Sequence, residues 1–236
     1  MESNTILEKI KWLGHDCMMI DSVEAGYPII YFDPYQIETK DKSNTSENKA
    51  DASKSKADII LITHEHYDHC SPEDVKKILG QNTIIVTEKD SAKKLKKELG
   101  KSVEGKIEVI APGDNINVKG INIAAVPSYN IDKKFHPKSK NWLGFVVDIG
   151  RVKVYHAGDT DLIPEMSDIK CDIAFLPVSG TYVMTAGEAI SAALEIKPQV
   201  AIPMHYGSLV GGDSDAEMFK KGLEGKIDVH ICYKNG

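Results

Sequence analysis

Thr63-His64-Glu65-His66-Tyr67-Asp68-His69 is the stretch on which the reading of this chain turns. It follows an apolar run, Ile59-Ile60-Leu61-Ile62, that has the length and composition of a buried strand. It precedes Ser71-Pro72-Glu73-Asp74, where a capping serine, a first-turn proline and two early acids announce a helix. The seven residues therefore sit in the turn at the carboxyl end of a strand, where open α/β sheets place ligand sites. In extended chain, residues i and i+2 point the same way, so His64 and His66 reach one metal position. As the chain turns, Asp68 and His69 face a second. Imidazole with carboxylate suits zinc, iron, manganese or nickel. Solvated loop residues are the bland alternative. Three of the eight histidines falling within six residues argue against it.

Further ligands are expected at other strand ends. Tyr155-His156-Ala157-Gly158-Asp159-Thr160 closes one strand, and Gly158 permits a tight turn that presents the Asp159 carboxylate. A carboxylate between two cations can bridge them. Pro203-Met204-His205-Tyr206-Gly207 closes another strand with His205 at its tip. Alone, either residue would read as structural; beside the first motif, both read as metal ligands.

Taken in order, Thr63 to His69, the Gly158-Asp159-Thr160 turn and the His205 strand end resemble the metallo-β-lactamase superfamily. The resemblance runs from about residue 10 to the C-terminus. It implies an α/β (α+β) chain folded as a four-layer αββα sandwich, one metallo-β-lactamase-like hydrolase domain over 1–236, with a metal centre at one edge. It further implies one or two divalent metal ions, zinc first, with manganese, iron or nickel open. Their ligands are His64, His66, Asp68, His69, Asp159 and His205, with Asp68 and His205 nearest the chemistry. Within the superfamily, Trp12-Leu13-Gly14-His15, 155–160 and Glu217-Met218-Phe219 resemble a branch of small cytoplasmic metal-dependent hydrolases that includes ascorbate-6-phosphate lactonase.

One departure stands out. The family supplies another histidine between the first motif and Asp159, and the matching stretch here, Ala125-Val126-Pro127-Ser128-Tyr129-Asn130, has none. His136 is the nearest substitute; Tyr129 or Asn130 are the alternatives. His15 either points at the metal edge or is structural. His156 either orients a ligand or is structural, and His230, alternating with apolar neighbours, reads as structural. Cys70 reads as a small packed residue, with a redox-sensitive thiol as the alternative.

Composition sets the remaining limits. The 236 residues carry 29 Lys+Arg against 35 Asp+Glu, a net charge of −6 that disfavours long nucleic acid as a partner. The apolar runs fall short of the ~20 residues that cross a bilayer, so no membrane partner is expected. The four cysteines form no C-x-x-C pair, which points to reduced thiols and a cytoplasmic location. A small-molecule substrate is expected, and a homo-oligomer is left open. The function implied is metal-assisted hydrolysis of an ester, lactone or phosphoester bond in a small, anionic substrate. The anionic class rests on Lys133, Lys134, Lys138 and Lys140 around His136. A small phosphodiesterase or nuclease, and a non-catalytic metal-binding protein, are the alternatives.

Local patterns predict strands over 10–21, 27–33, 58–63, 83–87, 106–110, 173–178, 200–205 and 228–233. Hairpins are predicted over 115–128, turning at Lys119-Gly120, and over 144–158, turning at Gly150-Arg151. Helices are predicted over 75–79, 91–99 capped by Asp90, 189–196 behind a Thr185/Glu188 capping box, and 218–223 behind a Ser214/Glu217 box. The polar stretch 38–56 reads as a solvated flexible loop, with a lid as the alternative. Lys93, Lys94, Lys96 and Lys97 read as a solvated helix face.

Overall fold

A computed structural model describes residues 2–38 and 56–233. The 38–56 loop reading therefore falls almost wholly outside the described residues. A short helix α1 (Glu2–Leu7) leads into strands β1 (Ile10–Gly14), β2 (Cys17–Asp21), β3 (Ile29–Phe32) and β4 (Ala57–Ile62). Helix α2 (Pro72–Ile78), β5 (Leu79–Thr87), α3 (Lys89–Leu99) and β6 (Ile107–Val109) follow. Strands β1 to β6 form one sheet in chain order, antiparallel through β3 and parallel from β3 to β6.

The second sheet begins with β7 (Asn115–Val118), β8 (Ile121–Pro127), β9 (Leu143–Ile149) and β10 (Val152–His156). Then come β11 (Ile173–Pro177), α4 (Ala186–Ile196), β12 (Val200–Met204), α5 (Asp213–Leu223) and β13 (Asp228–Val229). Its seven strands also lie in chain order, antiparallel up to β10 and parallel beyond it.

The alternation of side chains along β2 to β4 explains the layers. Met18, Ile20, Ile30, Phe32, Ile59 and Leu61 pack into a core shared with Phe145, Val154 and Phe175 of the second sheet. Their neighbours Cys17, Met19, Tyr31, Ile60 and Ile62 pack on the other face against Val75 and Ile78 of α2 and Leu95 of α3. Because β4 is covered on both faces, it is apolar at nearly every position rather than every second one. Helices α4 and α5 cover the outer face of the second sheet through Ala189, Ala193, Phe219 and Leu223. The order is helix, sheet, sheet, helix, as the resemblance implies.

Several local expectations need correction. The predicted strand 10–21 is a hairpin, because His15 takes a left-handed φ of 52° and turns the chain back at His15-Asp16. Glu88, not Asp90, caps α3; its carboxylate accepts from the Ser91 N–H at 2.6 Å. Helix α5 starts at Asp213, and the Asp215 carboxylate accepts from the Gly212 N–H at 2.8 Å, in place of the Ser214/Glu217 box. The last strand spans two residues instead of six. The Thr185/Glu188 box forms as expected.

Candidate metal centre

Strands β3 and β4 are parallel, as are β10 to β12, so their carboxyl ends gather at one edge where the sheets meet. Backbone bonds stitch the sheets together there. Leu143 donates to the Thr63 carbonyl at 3.0 Å and His205 to the His15 carbonyl at 3.2 Å. Gly158 has φ 62°, and a Cβ on it would lie 2.9 Å from the Leu143 carbonyl oxygen. Only glycine fits where the backbones come this close, and that approach sets Asp159 between the sheets.

Asp159 is the centre of the constellation. Its Oδ1 lies 3.3 Å from His69 Nε2. Its Oδ2 lies 3.1 Å from His136 Nε2 and 3.3 Å from His205 Nε2. On one side, one ligand atom each of His64, His66 and His136 falls within 4.8 Å of the others. On the other, the same holds for His15, Asp68, His69 and His205. The structure thus brings together all six expected ligands, and it brings His136 into the direction that lacked a histidine.

The hydrogen bonds behind these rings decide which nitrogen each presents. Thr63 Oγ1 donates to Asp33 at 2.7 Å, so it accepts from His64 Nδ1 at 2.9 Å. His69 Nδ1 donates to the same Asp33 carboxylate at 2.7 Å. His136 Nδ1 donates to Asn130 Oδ1 at 3.0 Å, while the Asn130 amide is fixed by Asp161 and the Tyr182 carbonyl. His205 Nδ1 is bonded to Ser179 at 2.8 Å. Each ring therefore turns Nε2 inward. The Nε2 atoms of His64, His69 and His205, and Asp159 Oδ1, are buried with no hydrogen-bond partner among the described residues. Buried polar atoms are rarely left unpaired, and a convergent set of lone pairs fits one or two cations.

Charge points the same way. Burial pushes Asp159 up, but the His205 and His69 rings outweigh it and hold its carboxyl well below the usual range. Burial pushes His205 down, but Asp159 and Asp16 outweigh it and lift the ring to about 9. His69 is lifted for the same kind of reason, by Asp159 and Asp33. Carboxylates that draw positive charge onto these rings would favour a cation in the same place, and a bound metal would displace protons from its ligands. Asp68 is pushed up by burial and pulled down further by the hydrogen bond from His15 and the charge of His69, to about 2.

Three of the additional candidates sit elsewhere. The Tyr129 hydroxyl points away to Glu165 at 2.8 Å and Lys138 at 3.1 Å, so Tyr129 does not fill the open direction. Asn130 does not fill it either; it holds His136. His156 accepts from the Gly158 N–H and donates to the Asp16 carbonyl at 3.0 Å, stacked on Phe32, so it fixes the turn under Asp159. His15 does reach the cluster, with Nε2 at 3.1 Å from Asp68. Cys70 is buried and its thiol is pushed up to about 12 by burial, which makes it a packed residue. Residues not foreseen are Asp33, Ser179, Asp161, Asp16 and Trp142, whose ring packs 4.7 Å from both His64 and His66.

The family model for the beta-lactamase superfamily domain matches residues 9–205. The chain belongs to the metallo-β-lactamase superfamily. Among relatives in that superfamily, it is 34% identical to a UPF0173 metal-dependent hydrolase of Thermoplasma acidophilum, covering 94% of this chain and 93% of that one. It is 31% identical to another from Methanosarcina mazei, over 94% of each. In structure it resembles Igni18, a metallo hydrolase from Ignicoccus hospitalis (TM-score 0.74, 23% identity, 96% of this chain and 95% of that one). It also resembles CmlA, a diiron β-hydroxylase from Streptomyces venezuelae (TM-score 0.73, 12% identity, 96% and 52%). At such identities the likeness concerns the metallo-β-lactamase fold alone, and that fold serves more than one reaction.

His136→Ala is expected to weaken cation binding on the His64–His66 side while the Asp68–His69–His205 side keeps its cation. Elemental analysis of the purified variant reads this as a drop in tightly bound metal per chain. Unchanged stoichiometry and affinity would remove His136 from the site.

Proposed function

We propose that this protein is a hydrolase that uses metal-activated water to cleave an ester, lactone or phosphoester bond in a small molecule. The observation that carries this reading is Asp159, whose carboxylate lies between two clusters of imidazoles: Oδ2 faces His136 of one and His205 of the other, and Oδ1 faces His69. A cation bound there would lower the pKa of water from ~15.7 toward ~7 and polarise the oxygen that gains charge. His64, His66, His136 and Asp159 would hold one position, and Asp68, His69, His205 and Asp159 the other. Zinc suits this set, with manganese, iron and nickel as the other fits.

The remaining residues orient and exclude. Asp33, Thr63, Asn130 and Ser179 keep four rings facing inward. His15 holds the Asp68 carboxylate by its hydrogen bond. Trp142 closes the back of the His64–His66 side. A cleft of about 350 Å³ opens onto His66, Asp68, Asp159 and His205, room for a small substrate and too little for a folded nucleic acid.

Three of the four lysines that suggest an anionic substrate are engaged by carboxylates. Lys133 pairs with Asp161 at 2.5 Å, Lys138 with Glu165 at 2.8 Å and Lys140 with Glu65 at 2.6 Å. Among the described residues no helix is long and apolar enough to cross a membrane. Four unpaired cysteines support a reducing, cytoplasmic setting for the reading.

Stripping the protein with a chelator and assaying p-nitrophenyl esters and bis-p-nitrophenyl phosphate tests the proposal. Activity is expected to vanish and to return with zinc or another of the four metals. Full turnover by the metal-free protein would overturn it.

A further inference from the structure

The cleft over the candidate metal centre has an unusual rim. Tyr67, Phe135, Tyr182 and Leu209 line it, and they are 62%, 50%, 37% and 41% exposed. Large apolar side chains this open are costly unless something covers them, and a contiguous group at a cleft marks a binding surface. Phe135 and Tyr182 stand edge to face with ring centroids 4.7 Å apart, forming a wall rather than two stray rings. Val210, partly exposed, extends the same surface. Among the described residues no lysine or arginine lines the cleft. Lys133, Lys138 and Lys140 nearby are held by carboxylates, and the exposed Lys134, next to Phe135 in the chain, is not among the residues that line the cleft.

We infer that the cleft selects a substrate with an uncharged aromatic or aliphatic group beside the scissile bond, bound against Phe135, Tyr182, Tyr67 and Leu209: a neutral apolar ester or lactone rather than a phosphorylated one. This rests on the hydrolase reading and narrows it. An apolar group covering the rim leaves water, as does the rim, and each covered ring contributes through buried area. A phosphoryl dianion gains no such cover and meets no lysine or arginine among the residues that line the cleft. The Tyr182 backbone carbonyl accepts from Asn130, so truncating the Tyr182 side chain leaves the support of His136 in place.

The test uses the metal-loaded full chain and a Phe135→Ala/Tyr182→Ala variant whose metal content is checked. Substrates are p-nitrophenyl acetate, p-nitrophenyl hexanoate and p-nitrophenyl phosphate; calorimetric titration with 1-naphthol reads binding without turnover. Hexanoate is expected to exceed acetate in kcat/KM by about tenfold or more and phosphate to be the poorest. The variant is expected to lose about tenfold on hexanoate, far less on acetate, and to weaken 1-naphthol binding by a similar factor. Preference for the phosphate, or equal handling of acetate and hexanoate, would overturn the inference, as would absence of 1-naphthol binding. No turnover of any substrate, with 1-naphthol bound by the parent and lost in the variant, would sink the hydrolase reading while upholding the apolar rim.

Discussion

Asp159→Asn is expected to remove nearly all hydrolytic activity and to lower metal content on both sides of the centre at once. The carboxylate contacts His69 through one oxygen and His136 and His205 through the other. Asparagine keeps the shape but loses the charge and one acceptor. Losing a hydrogen-bond partner of a metal ligand typically costs ~10–100-fold in affinity or activity, so a shared ligand should cost more. Elemental analysis and kcat on a neutral p-nitrophenyl ester would check both parts. A variant that keeps one side fully loaded would show that Asp159 serves a single position.

Asp33→Ala is expected to damage folding and metal binding together. The buried Asp33 carboxylate accepts from the Thr63 N–H at 2.8 Å, from Thr63 Oγ1 at 2.7 Å and from His69 Nδ1 at 2.7 Å. Removing it strands those donors in the interior, at ~1–3 kcal/mol each. A loss of roughly 3–5 kcal/mol is in line with breaking a buried charged pair, and would lower Tm by about 10 °C in a chain of this size. Metal affinity should fall ~10–100-fold because His69 and, through Thr63, His64 lose their orientation. Asp33→Asn, which keeps an acceptor oxygen, should recover part of the Tm and less of the affinity. An Asp33→Ala protein with parental Tm and metal content would contradict this account.

The sequence carried the centre unevenly, and the reason is physical. His64, His66, Asp68 and His69 are local: a strand end and a turn fix them relative to one another, so spacing suffices. Asp159 and His205 obey the same strand-end logic. Asp33 obeys it too, at the end of the apolar stretch 29–32 and before Pro34, and could have been found that way. His136 is different. It reaches the centre on a loop whose path is set by Asn130 and Asp161, some thirty residues apart, and no local pattern encodes that bond. Tyr129 was attractive by adjacency alone, yet its partner Glu165 lies 36 residues on. The partners of the lysines are non-local for the same reason. Same-sign residues cluster along the chain, but the partners of Lys133, Lys138 and Lys140, namely Asp161, Glu165, Glu65 and Asp90, come from other elements. Layer order was legible through the family resemblance, and most individual strands and helices through alternation and caps, which are short-range signals; the 10–21 hairpin was not, because a non-glycine residue makes its turn.

That turn has company. His15, Asp33 and His205 all have left-handed backbone, with φ of 52°, 42° and 61°. Each position costs ~1–2 kcal/mol for a residue with a Cβ, and glycine would be the cheap choice. The centre is thus built on strained backbone, and at Asp33 the three bonds that its carboxylate accepts outweigh that strain. Glycine there would ease the backbone and remove the side chain from which the centre is built, so relieving the strain cannot be separated from dismantling the centre.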